Sequence, residues 1–133
     1  MRREQGFVAI EWVAAIGMLL LPVVVLVATL PAWVERRHVA TVAAREAAQV
    51  LVNDWPHGDA QTAARVAREI AVDHGIEASD VDVRVSPPSP EPGGSITVAV
   101  AVAMPALAIG GVVVGEWRST AVVVRRIDDY RSR

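Results

Sequence analysis

The sequence predicts an α+β fold with a long N-terminal transmembrane helix, a second short helix and a small antiparallel sheet of three to four strands. Three observations support this prediction. An uncharged run extends from Trp12 to Val34, an alanine-rich segment with helical spacing follows it, and large apolar residues alternate with polar or small ones between residues 80 and 126. Because the helices precede a group of strands, we expect them to pack on one face of the sheet.

The uncharged run is long enough to cross a lipid bilayer. Its 23 residues, Trp12 to Val34, span about 34 Å as a helix, and the hydrocarbon core of a bilayer is about 30 Å thick. Pro22 and Pro31 lie within the run, and lipid tolerates prolines as kinks. A secretory signal contains about 7–15 apolar residues, so this longer run is expected to remain in the mature protein.

A single acidic residue, Glu11, lies at the start of this run. It is the one charged side chain between Phe7 and Val34. An ionised carboxylate in hydrocarbon costs about 3 kcal/mol on insertion scales, and a simple membrane anchor does not require one. The position of Glu11 therefore indicates a role in a partner contact or an assembly.

Two helical segments follow the uncharged run. The alanine-rich residues 35–52 continue the first helix, since alanine is the best helix former, and Asn53–Gly58 ends it with a proline and a glycine. The second helix is predicted at 59–74, with Asp59 as its N-cap and Gly75 as a left-handed stop. The apolar stripe of this helix comprises Ala63, Val66, Ala67, Ile70 and Ala71.

The C-terminal part of the chain is predicted to form strands at about 80–86, 95–104 and 112–126. The strand at 95–104 carries large side chains on one face and small ones on the other, so we expect both faces of the sheet to be covered. The proline-rich segment 87–94 is predicted to be an exposed loop. Residues 105–111 are predicted to be a connection. Residues 112–126 are predicted to form one bent strand or two shorter ones, Val112–Val114 and Arg118–Arg126, with Gly115 as a bulge.

The first residues resemble the class III signal of type IV pilins and pseudopilins. A short basic leader ends at Gly6, Phe7 follows, Glu11 is the fifth residue counted from Phe7, and the apolar helix comes next. An aromatic residue directly after the acidic one, here Trp12, resembles the Flp/Tad branch of this family. Members of that branch carry Tyr or Phe at this position, so the tryptophan is a departure from their pattern. The whole chain resembles a TadE-like minor pilin or pseudopilin, with the later strands and the segment Arg125–Arg131 covered more loosely.

The resemblance implies three regions. Residues 1–6 form a prepilin leader, residues 7–34 the transmembrane helix, and residues 35–133 an extracytoplasmic α+β domain. The protein is then a single-pass protein of the cell membrane that is incorporated in a surface pilus or related secretion filament. Two arginines precede the apolar run and two follow it, so charge alone does not decide the orientation.

The resemblance also implies roles for three residues. A membrane-embedded prepilin peptidase cuts between Gly6 and Phe7, and Gly6 lets it approach the backbone closely. The new amine of Phe7 can pair with the carboxylate of Glu11 in the same or a neighbouring subunit, so Glu11 serves assembly and recognition by the peptidase. The implied partners are the peptidase, other pilin or pseudopilin subunits, the pilus assembly platform and membrane lipid.

No catalytic, cofactor or metal site is predicted. His38, His57 and His74 lack the spacing of metal ligands, and the chain has no cysteine for disulfide or thiol chemistry. The net charge of −2 does not favour nucleic acid as a partner. We therefore expect no enzyme. The alternative to a pilin-like subunit is a single-pass membrane-anchored binding module whose N-terminus is not cleaved.

Overall fold

The computed structural model describes residues 2–54, 56–86, 93–109 and 112–127, with the backbone alone for residues 2–8, 107–109, 112 and 114. The elements are α1 (Arg2–Asn53), α2 (Ala60–Asp73), a 3₁₀ turn (Ala78–Asp80), β1 (Val81–Ser86), β2 (Ser95–Ala103), β3 (Leu107–Ile109), β4 (Val112–Val114) and β5 (Arg118–Arg126). The predicted α+β class is confirmed. Most of the predicted proline-rich loop at 87–94 lies outside the described residues.

Helix α1 runs without interruption through 52 residues, which corresponds to about 78 Å. The predicted continuation of the apolar run into residues 35–52 is thus confirmed. The helix also includes residues before Phe7, from Arg2 onward, so it begins earlier than the predicted start at Phe7. Pro22 and Pro31 lie inside it, and each removes one backbone donor without ending the helix.

Strands β1, β2 and β5 form a three-stranded antiparallel sheet in the order β1-β2-β5. Val98 of β2 lies opposite Val85 of β1 and Val123 of β5, so these three side chains share one face. The valine face of the sheet comprises Val81, Val83, Val85, Ile96, Val98, Val100, Val102, Ala121 and Val123. The β2 residues on this face are all buried, and the valine face therefore forms the sheet's side of the core.

Both helices pack on the valine face of the sheet. The buried positions of α1 are Val39, Ala40, Ala43, Ala44, Ala47, Ala48 and Leu51, and those of α2 are Ala63, Ala67 and Ala71. The alanines recur three or four residues apart, which places them on one side of each helix. Because alanine side chains are small, the helices can approach each other closely. The core is consequently thin and made largely of valine and alanine.

The predicted ends of α2 are confirmed. The Asp59 carboxylate accepts a hydrogen bond from the backbone N–H of Gln61 at 3.1 Å, as an N-cap does. Gly75 has a φ of 74°, and the backbone N–H of Ile76 donates to the carbonyl of Ala71 at 2.9 Å. This bond across a left-handed glycine ends the helix and turns the chain toward β1.

One part of the strand region differs from the prediction. The sequence predicts a connection at 105–111 and, beyond it, one bent strand or two shorter ones over 112–126. The structure has two shorter strands there, β4 and β5, but it also has β3 within the predicted connection, and β3 pairs with β4 in a separate hairpin. Gly115, predicted to be a bulge, lies between β4 and β5 with a φ of 73°. Two apolar triplets around Gly110-Gly111 favour a local hairpin, and this pairing removes β4 from the three-stranded sheet.

The outer face of the sheet is open among the described residues, so the prediction that both faces are covered is wrong. Ala99 and Ala101 of β2 are half-buried, and Val122 and Val124 of β5 are 60% and 61% exposed. Within the described ranges the chain provides one layer of helices, and that layer occupies the valine face.

Candidate functional site

Helix α1 has two chemically different halves. The first contains the apolar run, in which large side chains such as Leu19 and Leu21 are exposed. The second is buried against the domain. In the part of the chain that the structure describes, α1 is the one helix long and apolar enough to cross a membrane. Because so large an apolar surface is unfavourable in water, the first half requires lipid or other apolar helices around it.

Glu11 lies on the exposed surface of this first half. Its neighbours Trp12 and Val13 are also exposed, so the carboxylate is set in an apolar surface. Among the described side chains, Glu11 takes part in no ion pair. If this carboxylate lies in an apolar environment, its counter-charge must therefore come from a group other than the described side chains.

The predicted cleavage residues lie about one turn before Glu11. The backbone of Gly6 and Phe7 is helical, and the four-residue step from Phe7 to Glu11 is about 6 Å along the axis. Side chains in a helix lean toward its N-terminus, so the Glu11 side chain leans toward the turn that contains Phe7. A protease that binds its substrate as an extended strand can cut here only after this helical turn unwinds. Gly6 favours unwinding, because glycine weakens a helix by about 1 kcal/mol relative to alanine.

One face of the apolar run is partly covered. Val25, Thr29 and Trp33 are half-buried, whereas the other residues from Ala9 to Val34 are exposed. Their four-residue spacing places the three side chains on one side of α1. Strand β3 contacts α1, and Trp33, the last of the three half-buried residues, packs on Trp117.

Arg36 connects α1 to the sheet just beyond the apolar run. Its guanidinium donates to the carbonyl of Ala103, the last residue of β2, and forms an ion pair with Asp80 at 3.4 Å. The two charged side chains are 24% and 38% exposed, so solvent screens the ion pair, which contributes about 0–1 kcal/mol. The contact matters chiefly because it fixes the position at which β2 ends beside the helix.

Trp33 and Trp117 form an edge-to-face aromatic pair next to this contact. Their ring centroids are 4.9 Å apart and their planes meet at 83°, an arrangement that aromatic rings favour. The Nε1 of Trp33 is buried and has no hydrogen-bond partner among the described residues. The backbone N–H of Met104 donates to the carbonyl of Trp117 at 2.7 Å. The aromatic pair and this bond hold the base of the β3–β4 hairpin against α1.

Gly115 permits this position of Trp117, and Gly115→Ala is expected to displace the indole. The φ of 73° at Gly115 costs an alanine about 1–2 kcal/mol, and an added Cβ overlaps Nε1 of Trp117. We expect weaker near-ultraviolet circular dichroism from the Trp33–Trp117 pair and a domain destabilised by about 1–2 kcal/mol in urea unfolding. Gly17→Ala is the matched control, because beyond its chain neighbours and the adjacent helix backbone no atom lies within 4 Å of its added Cβ. An unchanged near-ultraviolet spectrum for Gly115→Ala contradicts this role.

The sequence-based prediction missed the contacts of Trp33, Arg36 and Trp117. The available signal was weak: Trp33 lies just inside the end of one charge-free segment, Trp117 lies two residues beyond the end of another, and the two segments are far apart along the chain. The histidines lie elsewhere, and His74 Nδ1 is 2.8 Å from the carbonyl oxygen of Ile70 at the end of α2. Among the described residues, no three His, Cys, Asp or Glu side chains are grouped so that they could hold a metal ion.

No protein-family model, curated protein or solved structure matches this chain. The function has to be inferred from Gly6, Phe7 and Glu11, from the helix that carries them, and from the domain attached to that helix.

Proposed function

We propose that this chain is a non-enzymatic, pilin-like subunit of a Tad/Flp-type pilus or a related secretion filament. A prepilin peptidase cleaves it between Gly6 and Phe7, and it assembles with other subunits through α1. The observation that carries this proposal is the position of Glu11. It is exposed at the start of an apolar helix of membrane length, one turn after Phe7.

The charge of Glu11 supports pairing with the amine of a cleaved chain. An unpaired carboxylate in an apolar environment costs several kcal/mol, and Glu11 forms no ion pair among the described side chains. Cleavage before Phe7 creates an amine about 6 Å away along the helix axis. This amine, or that of a neighbouring subunit shifted along the axis, can neutralise the carboxylate. Pairing between subunits also sets their axial register, as single buried polar groups do in coiled coils.

The two halves of α1 also support an assembly role. The first half exposes apolar side chains on every face except the one that carries Val25, Thr29 and Trp33, so neighbouring helices have room to pack around it. The second half is part of the core of the domain. A contact made by the first half is therefore connected to the domain through one continuous helix, and in this proposal the domain lies outside the cytoplasm.

A membrane-anchored binding module is the second candidate function. The observation that favours it is the open outer face of the sheet, where Val122 and Val124 are exposed. In that case residues 1–6 stay attached and Glu11 is dispensable. The N-terminus of the mature protein distinguishes the two functions.

We expect the protein isolated from its native membrane to begin at Phe7, as measured by mass spectrometry of the intact chain and of its N-terminal peptide. Gly6→Leu is expected to retain residues 1–6, because a side chain at this position prevents close approach of the peptidase to the backbone. Gly17→Ala, in which the added Cβ meets no atom beyond its chain neighbours and the adjacent helix backbone, is expected to be cleaved normally. Recovery of intact Met1 from cells with an active peptidase overturns the cleavage and favours the anchored module.

A further inference from the structure

The β3–β4 hairpin belongs to a second charge-free segment of the chain. No Asp, Glu, Lys, Arg or His occurs from Met104 to Gly115, and the next charged residue is Glu116. The side chain of Val113 is 67% exposed. Exposed apolar side chains on a strand associate readily with other apolar surfaces, so Val113 in this uncharged segment favours an apolar partner over water.

The hairpin is held at the boundary between the domain and the apolar run of α1. Its first end follows Ala103, whose carbonyl accepts from Arg36, and its second end precedes Trp117, which packs on Trp33. Strand β3 contacts α1, and the half-buried face of α1 extends from Trp33 back to Val25. The base of the hairpin is therefore attached to α1 at Arg36 and Trp33, where the apolar run ends.

The length of β3 matches the length of the half-buried face of α1. From Trp33 back to Val25, α1 covers about 12 Å along its axis, and a strand of three residues such as β3 extends about 10 Å. The hairpin can therefore reach along the covered face to about the level of Val25, toward the interior of a membrane that α1 crosses.

We infer that the β3–β4 hairpin inserts beside α1 into the lipid leaflet on the domain side of the membrane. This inference rests on the proposed function in one respect, namely that α1 crosses a bilayer. The partner of the exposed Val113 side chain is then lipid, because the segment from Met104 to Gly115 is uncharged and its base is attached to α1 where the apolar run ends. Trp33 and Trp117 lie at the level of the lipid head groups, where indole rings are commonly found.

The backbone of the hairpin limits the depth of its insertion. Strands β3 and β4 pair with each other, and neither pairs with another described strand, so each has an edge with unpaired N–H and C=O groups. Such edges are not stable in the centre of the hydrocarbon. The hairpin is therefore expected about 5–10 Å into the boundary between head groups and acyl chains, where water and lipid oxygens can serve as hydrogen-bond partners.

The hairpin gives the domain a second contact with the membrane. A single helix leaves a domain free to tilt about its point of attachment, whereas a helix and an inserted hairpin together fix which side faces the lipid. The two contacts are joined by the Arg36 hydrogen bond and the Trp33–Trp117 pair, so the domain is held at a constant height and orientation above the bilayer.

Depth-dependent fluorescence quenching tests this inference, and the absence of cysteine from the chain permits single-cysteine labelling. The full chain with Val113→Cys carries a nitrobenzoxadiazole probe and is reconstituted in vesicles of phosphatidylcholine and phosphatidylglycerol. The lipids carry a spin label either near the head group or deep in the acyl chain. Leu21→Cys is the reference for the membrane interior, and Val122→Cys, which is 60% exposed on β5, is the matched control outside the membrane.

We expect emission from the Val113 probe to shift to shorter wavelength and to be quenched severalfold more by the shallow than by the deep spin label. The Leu21 probe is expected to show the reverse order, and the Val122 probe no quenching by either label. If Leu21 is quenched and Val113 is not, hairpin insertion is wrong and membrane crossing by α1 is retained. A blue-shifted but unquenched Val113 probe indicates that a second copy of the chain covers the hairpin, which also overturns the inference. No quenching at Leu21 overturns both claims.

Discussion

In urea, the Ala67→Leu variant is expected to lose its folded domain at a clearly lower concentration than the wild-type chain. Ala67 of α2 is fully buried and α2 packs against α1, so a leucine has no space to occupy. Overpacking of this kind costs about 1–3 kcal/mol, a large share of the about 5–15 kcal/mol that stabilises a small domain. The measurement is near-ultraviolet circular dichroism of the full chain in detergent during urea titration.

Ala60→Leu is the matched control, because Ala60 is exposed in the first turn of the same helix. Its effect on the free energy of unfolding is expected to stay within about 0.5 kcal/mol. The slope of the urea dependence is expected to be the same in all three proteins, since the surface exposed on unfolding hardly changes. A wild-type midpoint for Ala67→Leu contradicts the close packing of α1 and α2.

The helices and the main strands were predictable because their signals are local. The end of α2 depends on Asp59 and Gly75, and both act on backbone groups within a few residues. The two-residue alternation in β1 and β2 marks the face that becomes buried. Such features require no knowledge of the rest of the chain.

The β3–β4 hairpin was not predicted because its residues carry no alternation. Leu107–Ile109 and Val112–Val114 are uniformly apolar, and a short apolar run does not reveal its partner by periodicity. Whether Val112–Val114 extends β5 or pairs with β3 is decided by competition between two pairings. The contact between Arg36 and Ala103, separated by 67 positions, depends in the same way on the completed fold.

For the candidate site, the sequence predicts the positions of the residues on the helix, whereas their roles depend on other molecules. The structure places Gly6, Phe7 and Glu11 within two turns of one helix, which agrees with the spacing used in the prediction. Their roles depend on a peptidase and on neighbouring subunits, and a single chain contains neither. Cleavage and assembly therefore stay predictions, and their tests require the native membrane.

Glu11→Val is expected to remove the chain from the filament while leaving folding and membrane insertion intact. Valine lowers the cost of insertion by about 3 kcal/mol relative to an ionised glutamate, so a role in anchoring alone predicts equal or better recovery in the membrane. In the proposed assembly, loss of the carboxylate leaves the amine of Phe7 uncompensated. Removing one partner of a buried ion pair costs about 3–5 kcal/mol, which corresponds to association weakened about a hundredfold or more.

The measurement is the fraction of the protein that sediments with sheared filaments, relative to the membrane pool, with the N-terminus of each variant determined by mass spectrometry. Glu35→Val is the matched control, because Glu35 is exposed on the same helix just beyond the apolar run, and it is expected to assemble normally. A Glu11→Val chain that begins at Phe7 and assembles like the wild type excludes an assembly role for the carboxylate. A Glu11→Val chain that keeps residues 1–6 places its role in recognition by the peptidase instead. Because the two roles predict different N-termini for Glu11→Val, the mass measurement separates them even though either role keeps this variant out of the filament.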